Sequence, residues 1–214
     1  MIEHILSFVL PERALQAIKG IKNRHFKELT VSKWHKAGCP MPVPHQIKLS
    51  TIEEFQTKSG YDILVETGTF KGDTIEAERK IFGQIISVEL GKELHEKARE
   101  RFRKFRHIKL YQGDGGKVLH DIVPELEGPA IFWLDGHYSG GVTARGESDC
   151  PILSELDAVL KNCKFKHIIL IDDADCFIGK NDYPTIEQLT HHIKSLAKNY
   201  KIEVKYGIIR VTTD

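Results

Sequence analysis

Net charge is the first thing this chain lacks. Its 31 Lys and Arg stand against 30 Asp and Glu, leaving +1. Such a balance provides no single-sign field, so no nucleic-acid partner is expected. Long apolar runs are missing too. No stretch approaches the ~18 residues that a bilayer-spanning helix needs, so no transmembrane segment is expected. Met1 to Leu10 is only mildly apolar and is interrupted by Glu3 and His4. It has neither a basic start nor a small-residue cleavage site, which argues against a secretory signal. Cysteine is sparse: Cys39, Cys150, Cys163 and Cys176 lie far apart with no C-x-x-C pair. The common zinc and dithiol motifs are therefore weak, and reduced thiols in a cytoplasmic protein are the expectation. Internal repeats and low-complexity segments are absent as well.

What is present is enough apolar material for a core, 41% of 214 residues. A chain of that length is expected to form one main domain. Ile2 to Lys36 is rich in helix formers and carries Lys19, Lys22, Arg24, Lys27 and Lys33. Pro11 suits a first-turn position and splits this segment into two short helices. The segment reads as a helical extension, packed on the domain or mediating a homodimer. Ala37 to His45 holds three prolines and must be irregular. The expected division is therefore 1–45 as extension and linker and 46–214 as the main domain. Ser50 followed by Glu53 resembles a capping box, which predicts a helix from Ser50 to about Lys58.

From Tyr61 onward, apolar strands alternate with amphipathic helices. Strands are expected at Ile63–Glu66, Ile85–Leu90, Ile108–Gln112, Ala130–Asp135 and His167–Asp172. Helices are expected at Thr74–Phe82, Lys92–Phe105, Val118–Val123, Pro151–Asn162 and Thr185–Lys198. Nearly all-apolar strands joined through helices imply a parallel sheet covered on both faces. The tail, Ile202 to Thr212, reads as two strands pivoting near Gly207, which must pair antiparallel. The fold expected is α/β: a Rossmann-like doubly wound sheet, mostly parallel, closed by a C-terminal antiparallel hairpin.

In such sheets ligands bind beyond the carboxyl ends of the strands. Every strand here delivers an acid to that rim or its exit turn: Glu66, Glu89, Asp114, Asp135, and Asp172 with Asp173. Acids crowded on one rim repel one another unless a ligand or cation compensates. The first strand also delivers a glycine-spaced turn, Gly68 to Gly72, opening a helix near Thr74. Glu89 lies 21 residues after Gly68, at the end of the next strand. A carboxylate there is placed for both ribose hydroxyls of a nucleoside. Asp114 is placed for an adenine amino group. A dinucleotide turn wants a third, middle glycine so that amides cradle a pyrophosphate; that glycine is missing, and Glu66 stands beside the turn. A carboxylate repels pyrophosphate and attracts a sulfonium cation with an amino-acid ammonium. The electrostatics favour S-adenosylmethionine.

The order E-T-G-T-x-x-G, V-E-L, G-D-G, L-D-G-H, I-D-D resembles the class I S-adenosylmethionine-dependent methyltransferases, from about Tyr61 to the end. More narrowly, D-G-H-Y-S-G-G, P-I-L-S-E-L, I-D-D-A-D-C-F, D-Y-P-T and P-V-P-H-Q-I-K resemble a bacterial group of small methyltransferase-like proteins. The resemblance implies a cofactor set of Glu66, Gly68, Thr69, Gly72, Thr74, Glu89, Asp114, Gly115 and Asp135. It implies a small-molecule or carbohydrate acceptor and O-methylation of a polyhydroxylated compound. Metal-dependent sugar O-methyltransferases are distantly similar, which implies Mg2+ or another divalent cation on Asp135, Asp172 and Asp173. With Asp135, His137 is the catalytic candidate, as the base that takes the hydroxyl proton. Gly136, Gly140 and Gly141 allow the following loop to close, and Arg145 and Glu147 extend it. Two other readings stay open: a nucleoside-binding protein without catalysis, and a glycosyltransferase holding manganese through Asp173 and Asp175.

Overall fold

The computed structural model describes residues 28–136, 150–161 and 164–213. The chain divides into two compact units, Met1–Lys48 and Leu49–Asp214. In the first, a helix over 28–36 (α1) is followed by the proline-rich stretch. Trp34 is buried there and its indole Nε1 donates to the Pro40 carbonyl at 2.7 Å. The expected helices around Pro11 lie outside the described residues.

Helix α2 runs His45–Ser59, so it starts five residues before the capping box suggested. Pro44 explains the difference. It stands just before the first turn, where its missing N–H costs nothing, and its carbonyl accepts the Ile47 amide at 2.8 Å. Ser50 thus lies inside the helix and caps nothing. The helix stops before Gly60, whose φ of 70° is left-handed.

Beyond it follow β1 (Ile63–Thr67), α3 (Asp73–Glu78), β2 (Gln84–Glu89), α4 (Lys92–Phe102), β3 (Ile108–Gln112) and α5 (Gly115–Ile122). Then come β4 (Ala130–Leu134), α6 (Ile152–Lys161), β5 (Ile168–Ile171), α7 (Ile186–Leu196), β6 (Tyr200–Lys205) and β7 (Ile208–Thr213). The seven strands form one sheet in the order β3-β2-β1-β4-β5-β7-β6. The first five strands are parallel, while β7 runs antiparallel to both β5 and β6. This is the doubly wound sheet with a closing hairpin that the alternation implies. The hairpin turn needs two residues at positive φ, and Tyr206 and Gly207 supply them at 56° and 68°.

Two cores cover the two faces. On one, Val65, Phe132, Leu134, Ile169 and Ile171 pack with Leu119 of α5, Leu156 and Val159 of α6, and Leu189 and Ile193 of α7. On the other, Leu64, Ile85, Ile131, Trp133 and Leu170 pack with Ile52 of α2, Ile75 of α3, and Ala98 and Phe102 of α4. Each fully buried Leu or Ile contributes on the order of 2 kcal/mol by leaving water. Alternation along β1 sends Leu64 and Glu66 to one face and Val65 and Thr67 to the other. The strand order turns back between β1 and β4, which opens a crevice at their carboxyl ends.

One helix start differs from expectation in a way that shapes this crevice. Helix α5 begins at Gly115 rather than Val118. Glycine is a poor helix former, but α6 holds this start in place: the Ser154 hydroxyl donates to the Gly116 carbonyl at 3.0 Å.

Candidate functional site

The turn after β1 is held by its own amides. Gly68 and Thr69 donate to the Val88 carbonyl at 2.9 and 3.3 Å, and Gly72 donates to Thr69 at 2.8 Å. The Phe70 amide donates to Glu89 Oε2 at 2.8 Å. Four amides of the turn are therefore committed, three of them to β2, and a pyrophosphate finds no ready nest. Gly68 has φ 85°, and a Cβ there would strike the Asp135 carbonyl oxygen. Gly72 has φ 75°, and a Cβ would meet the Phe102 ring at 2.5 Å. Both positions need glycine for conformation and for space.

Glu66 sits under this turn, 2% exposed. Its Oε2 accepts from Ser87 at 2.7 Å, and the Ser87 hydroxyl also meets Thr69 Oγ1 at 2.5 Å. Thr74, on α3, bonds the same carboxyl. Burial pushes the Glu66 carboxyl up to about 8, and the charge of Glu89 pushes the same way, against the Ser87 and Thr74 bonds. Glu66 thus stays mostly protonated at neutral pH.

Glu89 is also buried, and its second oxygen accepts the Gly91 amide at 2.8 Å. It clamps the β1 turn to the exit of β2. Each oxygen accepts one amide and retains lone-pair capacity for a further donor. Asp114 precedes α5 in an extended conformation, and its side chain makes no capping bond to its own helix. Glu66, Thr69, Thr74 and Glu89 therefore form one connected group, with Asp114 one strand farther along the rim.

Asp135 follows β4, where its amide donates to the Thr67 carbonyl at 3.2 Å. Asp172 is 1% exposed just past β5. Asp173 takes a left-handed φ of 50° and starts a short 3-10 turn, Ala174–Cys176. Asp175 is exposed on that turn. Among the described residues, no three His, Cys, Asp or Glu side chains gather closely enough to hold a metal. The expected convergence of Asp135, Asp172 and Asp173 is thus not formed. Neighbouring residues past a strand end turn apart, and the reversal at Asp173 re-aims the chain. His137, Gly140, Gly141, Arg145 and Glu147 lie outside the described residues.

The sequence reading missed Glu155. It lies on the buried face of α6 and is 2% exposed. A Cβ on Gly115 would run into its Oε1, and one on Gly136 would come within 3.0 Å of the same atom. Neither glycine has a positive φ, so their role here is to leave room. Thr67 Oγ1 would lie 3.2 Å from the Gly136 Cβ and is buried with no hydrogen-bond partner. A signal for Glu155 did exist: an acid on the stripe of Ile152, Leu156 and Val159.

No family model and no curated protein matches the chain by sequence. Solved structures do resemble it. The S-adenosylhomocysteine-bound methyltransferase PaMTH1 from Podospora anserina matches at 14% identity, covering 96% of this chain and 98% of its own, with a TM-score of 0.56. The chain has the class I methyltransferase fold. The N-methyltransferase NodS from Bradyrhizobium japonicum WM9 shares that fold at 11% identity, 79% and 96% coverage and TM-score 0.53. The 23S rRNA methyltransferase ErmE shares it at 13% identity, 80% and 69% coverage and TM-score 0.52. At such identities the likeness establishes the fold, and the spread of neighbours shows that this methyltransferase fold does not choose the acceptor.

Proposed function

We propose that the chain is an S-adenosylmethionine-dependent methyltransferase that methylates a hydroxyl of a small polyhydroxylated acceptor, such as a sugar. One observation carries the reading: the β1 turn spends its amides internally and sits over a buried carboxyl. That arrangement disfavours a phosphate and favours a cationic cofactor. The residues fit such a group. Gly68, Thr69 and Gly72 would form its seat, with Thr74 and Glu66 beneath. Glu89 would take the ribose hydroxyls, Asp114 the adenine, and Gly115 and Asp135 the remaining edges. The bound cofactor supplies an electrophilic methyl on a sulfonium. An acceptor hydroxyl aligned with that methyl would give up its proton to a base of this chain as it takes the methyl group. Asp135 and His137 are the proposed groups for that step. Alignment supplies much of the rate in such a transfer.

Metal assistance by Mg2+ on Asp135, Asp172 and Asp173 does not fit the described donor set, so no step is routed through a metal. Activity with and without added Mg2+ and chelator tests this directly. Among the described residues no helix is long and apolar enough to cross a membrane. Cys39, Cys150 and Cys176 are free thiols, which supports a cytoplasmic setting. A homodimer through the N-terminal extension belongs to the same reading, and a monomeric mass for the full chain by light scattering would refute it.

Calorimetry with S-adenosylhomocysteine tests the central claim. We expect binding, weakened by about tenfold or more in Glu89→Ala. No binding, or the same affinity in Glu89→Ala, overturns it. Binding without turnover on a broad hydroxylated panel favours the non-catalytic nucleoside-binding alternative. Stabilisation by UDP-sugars with manganese would instead favour the glycosyltransferase.

A further inference from the structure

Strand β3 closes one side of the sheet, with β2 on its inner side and no strand beyond it among the described residues. The Ile85 amide donates to the His107 carbonyl, and the Gly113 amide to the Glu89 carbonyl, each at 2.9 Å. In a parallel ladder alternate residues face the neighbouring strand, so His107, Lys109, Tyr111 and Gly113 turn their backbone groups to β2. Leu110 and Gln112 turn theirs outward. Beside this edge, between β3 and α4, lies a groove with a free volume of about 560 Å³. Its floor is apolar: Phe102 is buried, and Phe105, Ile108 and Leu110 are half-buried. Its surroundings are cationic. From Arg99 to Lys109 the chain carries six Lys and Arg against one Glu. Arg99 and Arg103 pair with Glu96 and Glu100 at 3.3 and 2.9 Å, and Arg101 pairs with Asp73 at 3.0 Å. Among the described residues, Lys104, Arg106 and Lys109 have no acidic partner, and all three are exposed.

We propose that this edge docks an extended, acidic segment of a partner protein, added to β3 as an eighth strand. The proposal is separate from the methyltransferase reading and stands or falls without it. Three features select that partner. The outward amides and carbonyls alternate donor with acceptor, which a peptide strand matches and a phosphate chain, offering acceptors alone, does not. The apolar floor takes every second side chain of such a strand. The uncompensated cations favour carboxylates along it. The exposed pairs on α4 are weak and leave their arginines able to exchange one acid for another. A second copy of the chain is disfavoured, because it would bring the same cations against Arg106 and Lys109. Residues 1–27 carry five Lys and Arg against two Glu and meet the same repulsion. Cations beside an open edge guard it against self-pairing, and the same charges admit an acidic strand.

The test titrates the full chain into a labelled ten-residue peptide of alternating valine and glutamate, read by fluorescence anisotropy. Amide hydrogen exchange at single residues, read by NMR, accompanies it. The expected result is binding about tenfold or more tighter than that of the valine–lysine counterpart, with slower exchange at Leu110 and Gln112. Arg106→Glu combined with Lys109→Glu should weaken binding about tenfold or more. No binding of the valine–glutamate peptide, equal binding of the lysine peptide, or an affinity that survives the double reversal overturns the proposal. So does binding without slower exchange at Leu110, because charge alone would then hold the peptide. A ten-nucleotide thymidine strand that binds as tightly as the peptide overturns it in favour of a phosphodiester partner. Dimerisation that protects Leu110 without any peptide assigns the edge to a second copy and overturns it too. The exchange measurement on the wild-type chain decides the question even if the double variant folds poorly.

Discussion

Replacing Gly115 by alanine should cost the protein through one side chain. Gly115 opens α5, and its φ lies outside the left-handed region, so alanine is conformationally welcome there. By propensity alone the change gains up to about 1 kcal/mol. The new Cβ, however, would collide with Glu155 Oε1 and lie 3.0 Å from Thr67 Cγ2. Overpacking of that kind costs about 1–3 kcal/mol. The balance is a destabilisation of about 0–2 kcal/mol, together with displacement of Glu155 from the crevice. Removing the obstacle should recover much of it. Gly115→Ala combined with Glu155→Ala is expected to be more stable than the two single changes added together, by a coupling of about 1–3 kcal/mol. Urea unfolding of the four chains measures this. Gly128→Ala is the control, since a Cβ there would touch only Ile63 Cδ1 at an ordinary 3.8 Å. Additivity within about 0.5 kcal/mol would refute the reasoning, because it would mean that Glu155 does not fill the space the glycine leaves.

The remaining predictions concern charge. Glu66 keeps its proton in the folded state up to about pH 8 but loses it near 4.5 when unfolded. Stability from this group therefore falls as pH rises from 4.5 to 8, by at most about 1.4 kcal/mol per unit, and Glu66→Gln should flatten that slope in chemical unfolding across pH. Because a cation favours the ionised form, affinity for S-adenosylhomocysteine should rise with pH towards 8 in the wild type and less in Glu66→Gln; calorimetry at matched ionic strength reads it. His167 behaves in the opposite sense. Burial pulls it down to about 4 from 6.5, and its Nδ1 accepts the Ala130 amide at 3.1 Å. Its contribution is complete above pH 6.5 and is lost as pH falls towards 4, so His167→Gln should lose stability at pH 7 but show a weaker acid dependence by thermal unfolding. Glu89→Gln keeps one of these bonds as a neutral one and sets its NH2 against the other amide donor, so it should cost on the order of 1–3 kcal/mol, with faster amide exchange at Phe70 or Gly91.

Much of this fold is local information. Strands such as Ile131 to Leu134 are apolar throughout because both faces are covered, and each helix between them keeps an apolar stripe. The antiparallel closure was legible because the two residues at the hairpin turn leave no length for a crossover. Element edges were less legible. Ser50 and Glu53 look like a cap in sequence, yet Pro44 had already fixed the start of that helix. Gly115 looks unfit for a helix until Ser154 arrives from α6 to hold it. The three metal-candidate carboxylates are not gathered for a similar reason. Adjacency in sequence at Asp172 and Asp173 does not aim two side chains at one point when the second residue takes φ 50°.

The acids at the site show the same division. Glu66 is visible because it ends an apolar run beside a glycine turn, and both features are neighbours in the chain. Glu155 belongs to the same crevice but arrives from α6, so only its place on an apolar stripe marks it. Together they bracket the end of β1, because alternation sends Glu66 to the face of α3 and α4 and Thr67 to the face of α5 and α6. Each face meets a different buried carboxyl. The Glu66 side is closed by Ser87, Thr69 and Thr74, hydroxyls that hold a protonated acid ready to ionise when a cation binds. On the other side, the missing side chains of Gly115 and Gly136 leave the room that the Glu155 carboxyl takes.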